Sequence, residues 1–503
     1  MKEIFTRQQV PLSDICDTVR RALNKPGWRF GHETARVVAG DGLSLEVLLL
    51  NTTGGAGEIF SARIPDGAAE YPSLTPHIPA AHWAERAIGD FFGLKAEGHP
   101  RWKSLILHEA WPADFAPLRD DSPDAPRCMR DVDPYTFMEV HGEGVHEIPV
   151  GPIHAGIIEP GHFRFSCLGE IVTNLEIRLG YQHRGIERRL AEIPWQQSRF
   201  LAEAASSDTT VGNALAHAVA IEQILGMIPP PRAQFLRTVA LEIERLASHL
   251  GDLGGLSGDI GYSAGAAIFA RLRGGALTLG ELLAGTRFQR AFVLPGGIAR
   301  DLGDAAQSEL VQSLSDLTYK IEDSLPLILE NPSVIERMEG TGRLSPSLAK
   351  EFGIVGPAGR ASGSGYDART AFSHGVFPQH APVPARRKSG DVLARTQVRC
   401  DEIIASLSLL HKLLDDLPQS PIKATLADQL PPNRVGVGVV EAWRGELIHW
   451  ITTDDEGRIG RYSVRDPSMS NWTGLAIAVR GNLVADFPLC NKSFNLSYSG
   501  NDL

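Results

Sequence analysis

The segment AQFLRTVALEIERLASHL, residues 233–250, carries the clearest structural pattern of the chain. Its apolar side chains recur every three or four residues, which is the spacing of one face of an amphipathic α-helix. Three ionisable residues, Glu242, Arg245 and His249, lie together on the flank of that face. Helical patterns dominate from Glu170 to Leu417, so this part of the sequence predicts a mainly helical core. The apolar residues of the face are Leu236, Val239, Ile243, Leu246 and Leu250.

Short β-like runs lie on either side of this helical region. LSLEVLLLN (43–51) and EIFSARI (58–64) flank a glycine-rich turn, and residues 78–94 have helical spacing. Residues 111–133 are dense in Pro, Asp and Arg and indicate a linker. After Pro432 three runs predict strands: VGVGVVEA, GELIHWITT and GRYSVRD. We therefore predict an α+β fold, with a small α/β domain in residues 1–140. A mainly α-helical domain with peripheral β-strands follows in residues 145–503.

The composition excludes several classes of protein. The chain has 503 residues, 43% hydrophobic and 22% charged, which is typical of a globular protein with a real core. Its net charge of -11 argues against electrostatic binding of nucleic acid along the whole chain. No signal-peptide core and no apolar run of about 18 residues is present. We therefore expect a cytoplasmic chain that reaches a membrane only through partner subunits.

The cysteines are few and scattered. No two of them form a C-x-x-C pair, so the sequence has no local thiolate cluster for zinc or iron–sulfur. Their odd number and wide spacing fit a reducing compartment. They are Cys16, Cys128, Cys167, Cys400 and Cys490.

Two segments hold candidate site residues. In GPIHAGIIEPGHFRF (151–165), His154, Glu159 and His162 could face a cavity and transfer protons. Taken alone, this segment favours a β-hairpin with surface histidines. RLGYQHRGIERRL (178–190) adds Arg184, although this segment, taken alone, favours a solvated, charged helix start. GPAGRASGSGYDAR (356–369) has no G-x-x-x-x-G-K-[ST] pattern, so its signal for nucleotide binding is weak.

Two further blocks follow, GDVLARTQVRCDEI (390–403) and VEAWRGE (440–446). With these blocks in this order, the sequence resembles one family over nearly the whole chain. It is the large-subunit family shared by respiratory complex I, as its forty-nine-kilodalton subunit, and the membrane-bound group 4 [NiFe] hydrogenases. The N-terminal WAERAIGDFFGLKAEGHPRWKSLILHEAWP (83–112) is similar to the thirty-kilodalton subunit of complex I. The EPGHFRF wording is closer to the fused large subunits of hydrogenase-4 and formate hydrogenlyase.

The resemblance also implies a departure at the metal centre. Active [NiFe] hydrogenases hold nickel with two C-x-x-C pairs, because soft thiolates suit that bimetallic centre. Counted back from AIEQILG (220–226), the first pair falls on Ser206 and Thr209, and the second falls on Ser497 and Gly500. We call these four residues the substituted positions. We expect no nickel–iron centre, no cofactor bound by this chain alone, and no tail after Leu503 for a maturation protease.

The complex I branch lacks these cysteines too and binds a quinone headgroup in their place. There a histidine of the G-P-x-H hairpin and a tyrosine hold the quinone, and His154 matches the histidine. The tyrosine position falls near Phe200 or Leu201, which donate no hydrogen bond, so a quinone stays a candidate ligand only. Arg184 and His249 match residues that face the [4Fe–4S] cluster of a small subunit, where a protonatable or positive group tunes the cluster potential.

The resemblance implies the large subunit of a complex I-like or hydrogenase-4-like assembly without nickel. Such an assembly couples redox or conformational change to ion translocation at the cytoplasmic face of the inner membrane. Its expected partners are an iron–sulfur small subunit and antiporter-like membrane subunits. The alternatives are a quinone-site subunit of NADH–quinone oxidoreductase type, an active hydrogenase, and a non-catalytic scaffold. The resemblance does not say whether the subunit is itself catalytic. It also does not identify the electron donor, the electron acceptor or the pumped ion.

Overall fold

The N-terminal part of the chain forms a mixed sheet with two helices. The computed structural model describes residues 4–38, 40, 42–112, 114–122, 128, 133–154, 158–372 and 374–503. The predicted strands at 43–51 and 58–64 and the predicted helix within 78–94 are confirmed. The elements are β1 Phe5–Gln9, α1 Ile15–Leu23, β2 Trp28–Val38, β3 Gly42–Asn51, β4 Ala56–Ile64, β5 Glu70–Pro72, α2 His82–Phe92 and β6 Lys95–Glu97.

The four long strands lie in the order β1-β4-β3-β2, with β1 parallel to β4 and the other pairs antiparallel. Strand β3 is central and is buried on both faces, which explains its almost unbroken apolar sequence. One face, with Leu45, packs in a cluster with Ile88 of α2. The other face, which includes Leu48, packs against residues of the C-terminal sheet (residues 435–465), such as Trp450.

A second sheet contains the sequence predicted to form a hairpin. Strands β7 (Val145–Val150), β8 (His162–Leu168) and β9 (Ile171–Arg178) lie in that order, with antiparallel pairing. The prediction of helix from Glu170 onward is therefore wrong for β9. Its burial largely alternates along the strand, and its short apolar run does not distinguish a strand from a helix by spacing alone.

The middle of the chain is helical, as predicted, apart from a short hairpin of two strands with two residues each, β10 (Val293–Leu294) and β11 (Gly297–Ile298). The 29-residue helix α6 lies at its centre, and its predicted apolar face is buried. The helices are α3 Ile186–Glu192, α4 Trp195–Ala204, α5 Thr210–Leu225, α6 Pro231–Asp259, α7 Ser263–Ala284, α8 Asp304–Ser324, α9 Pro326–Leu329, α10 Pro332–Met338, α11 Pro346–Glu351, α12 Gly356–Ala361, α13 Ala368–Ala371, α14 Phe377–His380 and α15 Val392–Asp415.

The C-terminal region begins with the three predicted strands, which are confirmed. They are β12 (Val435–Ala442), β13 (Gly445–Thr453) and β14 (Ile459–Arg465), and they form an antiparallel sheet in that order. Two helices that the sequence analysis did not predict follow, α16 (Ser468–Ala478) and α17 (Phe487–Phe494). Among the described residues, no helix is both long and apolar enough to span a bilayer.

The predicted linker at residues 111–133 lies partly outside the described residues. Its described parts, 111–112, 114–122, 128 and 133, contain no helix and no strand. The proposed boundary between residues 140 and 145 stays a prediction, although β7 begins directly after it. One apolar cluster spans that boundary, from Phe91 of α2 to Phe163 of β8 and Trp472 of α16. The two parts of the chain therefore share a core.

Glu33 of β2 is buried in this shared region, and neither oxygen of its carboxyl group has a hydrogen-bond partner among the described residues. Burial, and then the nearby Glu85, raise the pKa of Glu33 well above its usual value. The carboxyl group is therefore protonated in the folded chain at a pH where the unfolded chain has lost that proton. Its contribution to stability is greatest below the unfolded pKa of about 4.3 and decreases as the pH rises.

We expect Glu33→Gln to remove this pH dependence. The stability advantage of the variant over the wild type should grow between pH 5 and pH 8, by at most about 1.4 kcal/mol per pH unit. Urea unfolding midpoints at both pH values measure it, with the exposed Glu143→Gln as control. An equal shift of both variants relative to the wild type would show that Glu33 is not the responsible group.

Candidate functional site

The four substituted positions lie together, although Ser206 and Ser497 are 291 residues apart in sequence. The turn between α4 and α5 carries Ser206 and Thr209, and the segment after α17 carries Ser497 and Gly500. The Oγ atoms of Ser206 and Ser497 are 3.0 Å apart, and the Gly500 amide donates to Ser497 Oγ at 2.9 Å. We call this group of residues the substituted centre.

An ion pair joins the two sides of the substituted centre. Arg444, in the turn between β12 and β13, donates to both oxygens of Asp208, at 2.7 and 2.6 Å. The hydroxyl groups of Ser206 and Thr209 donate to the same carboxylate, at 3.0 and 3.2 Å. Burial alone would raise the pKa of Asp208, but Arg444 outweighs it and holds that pKa below its usual value. The centre is thus a set of hydroxyl groups around a neutralised ion pair.

Arg444 also fixes the segment after α17. Its Nε donates to the carbonyl oxygen of Asn495 at 2.6 Å, and its guanidinium lies 3.8 Å from the ring centre of Trp443. The arginine therefore links the α4–α5 turn to the C-terminal segment.

The residues present do not fit the nickel–iron centre that the resemblance implies. Hydroxyl oxygens are poor ligands where soft thiolates are required. A Cβ atom at Gly500 would lie 2.5 Å from Asp466 Oδ2 and 2.9 Å from Ser497 Oγ, so a cysteine does not fit there without movement. Cys490 is buried in α17, and burial raises the pKa of its thiol to about 11. Among the described ranges, no three His, Cys, Asp or Glu side chains are grouped to hold a metal ion.

The hairpin loop borders the substituted centre through one of its three candidate residues. Glu159 accepts hydrogen bonds from the backbone amides of Tyr498 and Ser499, both at 3.2 Å. His154 Nε2 and His162 Nδ1 instead lie 2.8 and 3.1 Å from carbonyl oxygens of the loop itself, those of Gly161 and Gly151. Burial lowers the pKa of His162. The loop does connect two strands, as the hairpin interpretation held, and residues 155–157 lie outside the described ones.

Arg184 lies on the open side of the substituted centre. It donates to the carbonyl oxygens of Ala204, Ala205 and Ser499, at 2.7, 2.9 and 2.9 Å. Burial lowers the pKa of Arg184, against the attraction of Glu159 and Asp502. Its side chain braces both segments of the centre and is still exposed.

Phe200 and Leu201, at the position expected for the quinone-binding tyrosine, lie in α4 before the substituted centre. The Phe200 ring is 50% exposed, and the guanidinium of Arg199 lies 4.4 Å from its centre. Neither residue supplies a hydrogen-bond donor from its side chain.

His249 is completely buried by this chain. Its Nε2 is 2.9 Å from Glu402 Oε2, and its ring packs edge-on against Trp443, next to Arg444. Burial lowers the pKa of His249, and Glu402 partly opposes that shift. Any influence of His249 on a partner's cluster would therefore act across intervening protein atoms. That role stays a prediction.

Glu402 is one member of a buried ionic network that the sequence analysis missed. Arg360 donates to Glu402 at 2.9 Å and to Glu441 at 2.6 Å, and Arg369 pairs with Asp367 at 2.8 Å. Three guanidinium groups face four carboxyl groups, and all seven side chains are at most 2% exposed. They are Arg245, Arg360, Arg369, Glu242, Asp367, Glu402 and Glu441.

The network contains one more carboxyl group than guanidinium groups, so one carboxyl group has no cation of its own within the network. Burial raises the pKa of Glu441 to about 7, although Arg360 opposes the shift. Burial therefore favours the protonated form of this carboxyl group more than water would. The sequence grouped two members, Glu242 and Arg245, on α6, but it did not show that they join residues of α12, α13, α15 and β12, which are distant in sequence.

The sequence of this chain is similar to those of known proteins, and these proteins identify its family. The description "Respiratory-chain NADH dehydrogenase, 49 Kd subunit" matches residues 259–439, and the corresponding 30 Kd subunit description matches residues 10–127. Formate hydrogenlyase subunit 5 of Escherichia coli (strain K12) is 34% identical over 86% of this chain and 77% of its own length. The chain belongs to the complex I and group 4 hydrogenase large-subunit family.

Two further relatives span most of this large subunit. Hydrogenase-4 component G of Escherichia coli (strain K12) is 32% identical over 88% of this chain and 78% of its own length. A solved chain of the membrane-bound sulfane sulfur reductase, an archaeal respiratory membrane complex, superposes with a TM-score of 0.68 at 27% identity. The match covers 72% of this chain and 99% of that chain. The expected resemblance to both complex I subunits within one chain, and the α+β fold class, are confirmed.

Proposed function

We propose that this large subunit works without a nickel–iron centre, in a membrane-associated complex that couples electron transfer to ion translocation. The observation that carries the proposal is the Arg444–Asp208 ion pair at the substituted centre, surrounded by hydroxyl groups rather than thiolates. The relatives' names, which include a formate hydrogenlyase, an NADH-quinone oxidoreductase and a respiratory membrane complex, supply the class of assembly. Hydrogen chemistry is then absent, and the subunit serves another redox couple.

The proposed assembly has three further parts. A small subunit with a [4Fe–4S] cluster docks at the exposed side of Arg184, and antiporter-like subunits attach the complex to the cytoplasmic face of the inner membrane. The described helices include no membrane span, which supports attachment through those partners. A quinone is one candidate acceptor, with His154 as its expected contact. The sulfane sulfur reductase that superposes on this chain makes a sulfur compound the second acceptor to test.

Elemental analysis of the complex purified from its native host tests the proposal. We expect iron but far less than one nickel per chain, and no hydrogen uptake or evolution with viologen dyes. Reduction of menadione or polysulfide by the same preparation would identify the acceptor. Stoichiometric nickel would overturn the proposal in favour of the active hydrogenase. A complex with no redox turnover and an inert cluster would favour the scaffold.

His249 is the residue whose replacement tests coupling to the cluster. In the assembled complex, His249→Ala should reduce turnover by at most about tenfold, the lower end of the loss when a supporting group near a metal centre is removed, because intervening protein atoms separate His249 from the partner's cluster. The midpoint potential of the partner's cluster, followed by EPR, should also shift in the variant. His154→Ala should have the smaller effect, because its hydrogen bond stays within the hairpin loop.

A matched control needs a histidine remote from the centre. His32 is unsuitable as this control, because it lines the same small void as Gly500 and its Nε2 lies 3.1 Å from Ser463 Oγ. His141, whose side chain is 85% exposed, is suitable. If His249→Ala and His141→Ala both keep full turnover and an unchanged potential, His249 has no role in coupling.

A further inference from the structure

A large cavity lies between the N-terminal sheet and the helical core, apart from the substituted centre. Its volume is about 650 Å³, and its walls come from the β3–β4 turn, α5, the start of α6 and β12. Helix α5 begins at the substituted centre and lines the cavity from Leu215 to Gln223. At 1.5 Å rise per residue, these two residues lie about 8 Å and about 20 Å along the helix from its first residue. The cavity opens to solvent, since Thr53, Gly54 and Ile228 in its wall are exposed.

The walls are largely apolar, and their charged groups are already paired. The apolar lining residues are Leu215 and Val219 of α5, Val437 and Val439 of β12, and Phe5 and Phe372. Arg237 pairs with Glu222 at 2.6 Å and also donates to the carbonyl oxygens of Gly297 and Leu294. Both side chains are at most 8% exposed. A charged ligand would find no free counter-charge at this pair.

The other polar side chains at the cavity differ in how far they are satisfied. The amide of Gln223 both donates to and accepts from the backbone of Val437, each at 2.9 Å. His374 is partly exposed where it lines the cavity, and among the described residues no group hydrogen-bonds to its ring; its Nε2 is buried without a partner. Burial, and then Arg237, lower the pKa of His374 to about 4. The ring is therefore neutral at pH 7, with one N–H donor and one acceptor nitrogen.

We propose that this cavity is a binding site for an uncharged, lipid-soluble molecule that carries one hydrogen-bonding oxygen, such as a fused-ring ketone or phenol. The apolar walls take the hydrocarbon part, and the His374 imidazole takes the oxygen. Ligand pockets of about 300–1,000 Å³ with apolar walls and few polar groups occur preferentially at such domain interfaces. The proposal does not depend on the chemistry of the substituted centre.

Titration of the purified full chain with prodan, an uncharged naphthalene ketone whose emission shifts to the blue in apolar surroundings, tests the site. We expect saturable binding of one prodan per chain, with a Kd in the range of about 1–100 μM. Menadione should displace prodan if the site prefers fused rings, and dodecanol should displace it if the site prefers a single chain. Either displacement supports the site and identifies the hydrocarbon part of the ligand.

Three variants locate the binding. Val219→Trp places a bulky ring in the cavity and should weaken prodan binding at least tenfold, whereas Val383→Trp, at a side chain that is 91% exposed, should not change it. His374→Phe keeps the ring but not the nitrogens and should weaken binding about fivefold. Thr53→Trp, at an exposed position on the opposite wall, replaces Val219→Trp if circular dichroism shows that the latter is misfolded. Absence of saturable binding, or equal affinity in all folded variants, would overturn the proposal.

Discussion

Replacement of Arg360 with methionine is expected to destabilise the folded chain by about 3–5 kcal/mol, the usual loss when one partner of a buried ion pair is removed. The Arg360 guanidinium lies 2.8 Å from Glu402, 2.6 Å from Glu441 and 3.6 Å from Asp367, and all four side chains are at most 2% exposed. Without it, Arg245 and Arg369 are left to balance four carboxyl groups. Urea unfolding measures the loss, and a chain recovered only as aggregate agrees with it.

Two companion variants show whether the loss comes from unbalanced charge. Arg360→Met combined with Glu441→Gln removes one carboxyl group as well and should recover part of the lost stability, since the two residues are in direct contact. Arg189→Met, at a surface ion pair 3.6 Å long, should change the stability little. An Arg360→Met chain as stable as the Arg189→Met chain would contradict the assigned importance of the network.

Replacement of Arg444 with leucine is expected to release the C-terminal segment from the α4–α5 turn. The variant loses both hydrogen bonds to Asp208 and the one to the carbonyl oxygen of Asn495. Amide hydrogen exchange at Ser497 and Gly500 should accelerate about 100-fold, which corresponds to about 2.7 kcal/mol of local stability. Exchange measured by mass spectrometry on the folded variant resolves these amides from the helical core.

Asp208→Asn is the matched comparison for this variant. It removes the charge of the carboxylate but leaves Arg444 bound to the carbonyl oxygen of Asn495, so the acceleration should be clearly smaller. Arg444→Leu with unchanged protection at Ser497 would show that other contacts, such as the Glu159 bonds to Tyr498 and Ser499, hold the segment instead.

The fold could be predicted where local pattern and burial agree. The apolar face of α6 and the strands β3, β4 and β12–β14 follow directly from residue spacing. Strand β9 was taken for helix because a short apolar run fits both periods. Helix α16 was missed because it is buried on most sides, so its sequence, SMSNWTGLAIA, lacks a polar face.

The candidate site could be predicted only through the order of the family blocks. That order indicated Ser206 and Ser497, which the structure places in contact. The ion pair between Asp208 and Arg444 and the bond between Arg360 and Glu441 join residues 236 and 81 positions apart. The spacing of residues within a few helical turns carries no information on pairs so far apart in sequence. Arg360, in a glycine-rich segment, is typical of a loop when only its neighbours are considered.

The contact between the N-terminal and C-terminal sheets bears on how such a protein is made. Arg29 of β2 pairs with Glu446 of β13, Arg461 of β14 donates to Thr34 at 2.9 Å, and Leu48 packs beside Trp450. Made as a separate polypeptide, the N-terminal part would expose this sheet face until it met its counterpart. Joined in one chain, the two faces meet at an effective concentration of about millimolar. Fusion thus fixes their stoichiometry at one to one during synthesis and removes the stage at which an orphan subunit could aggregate.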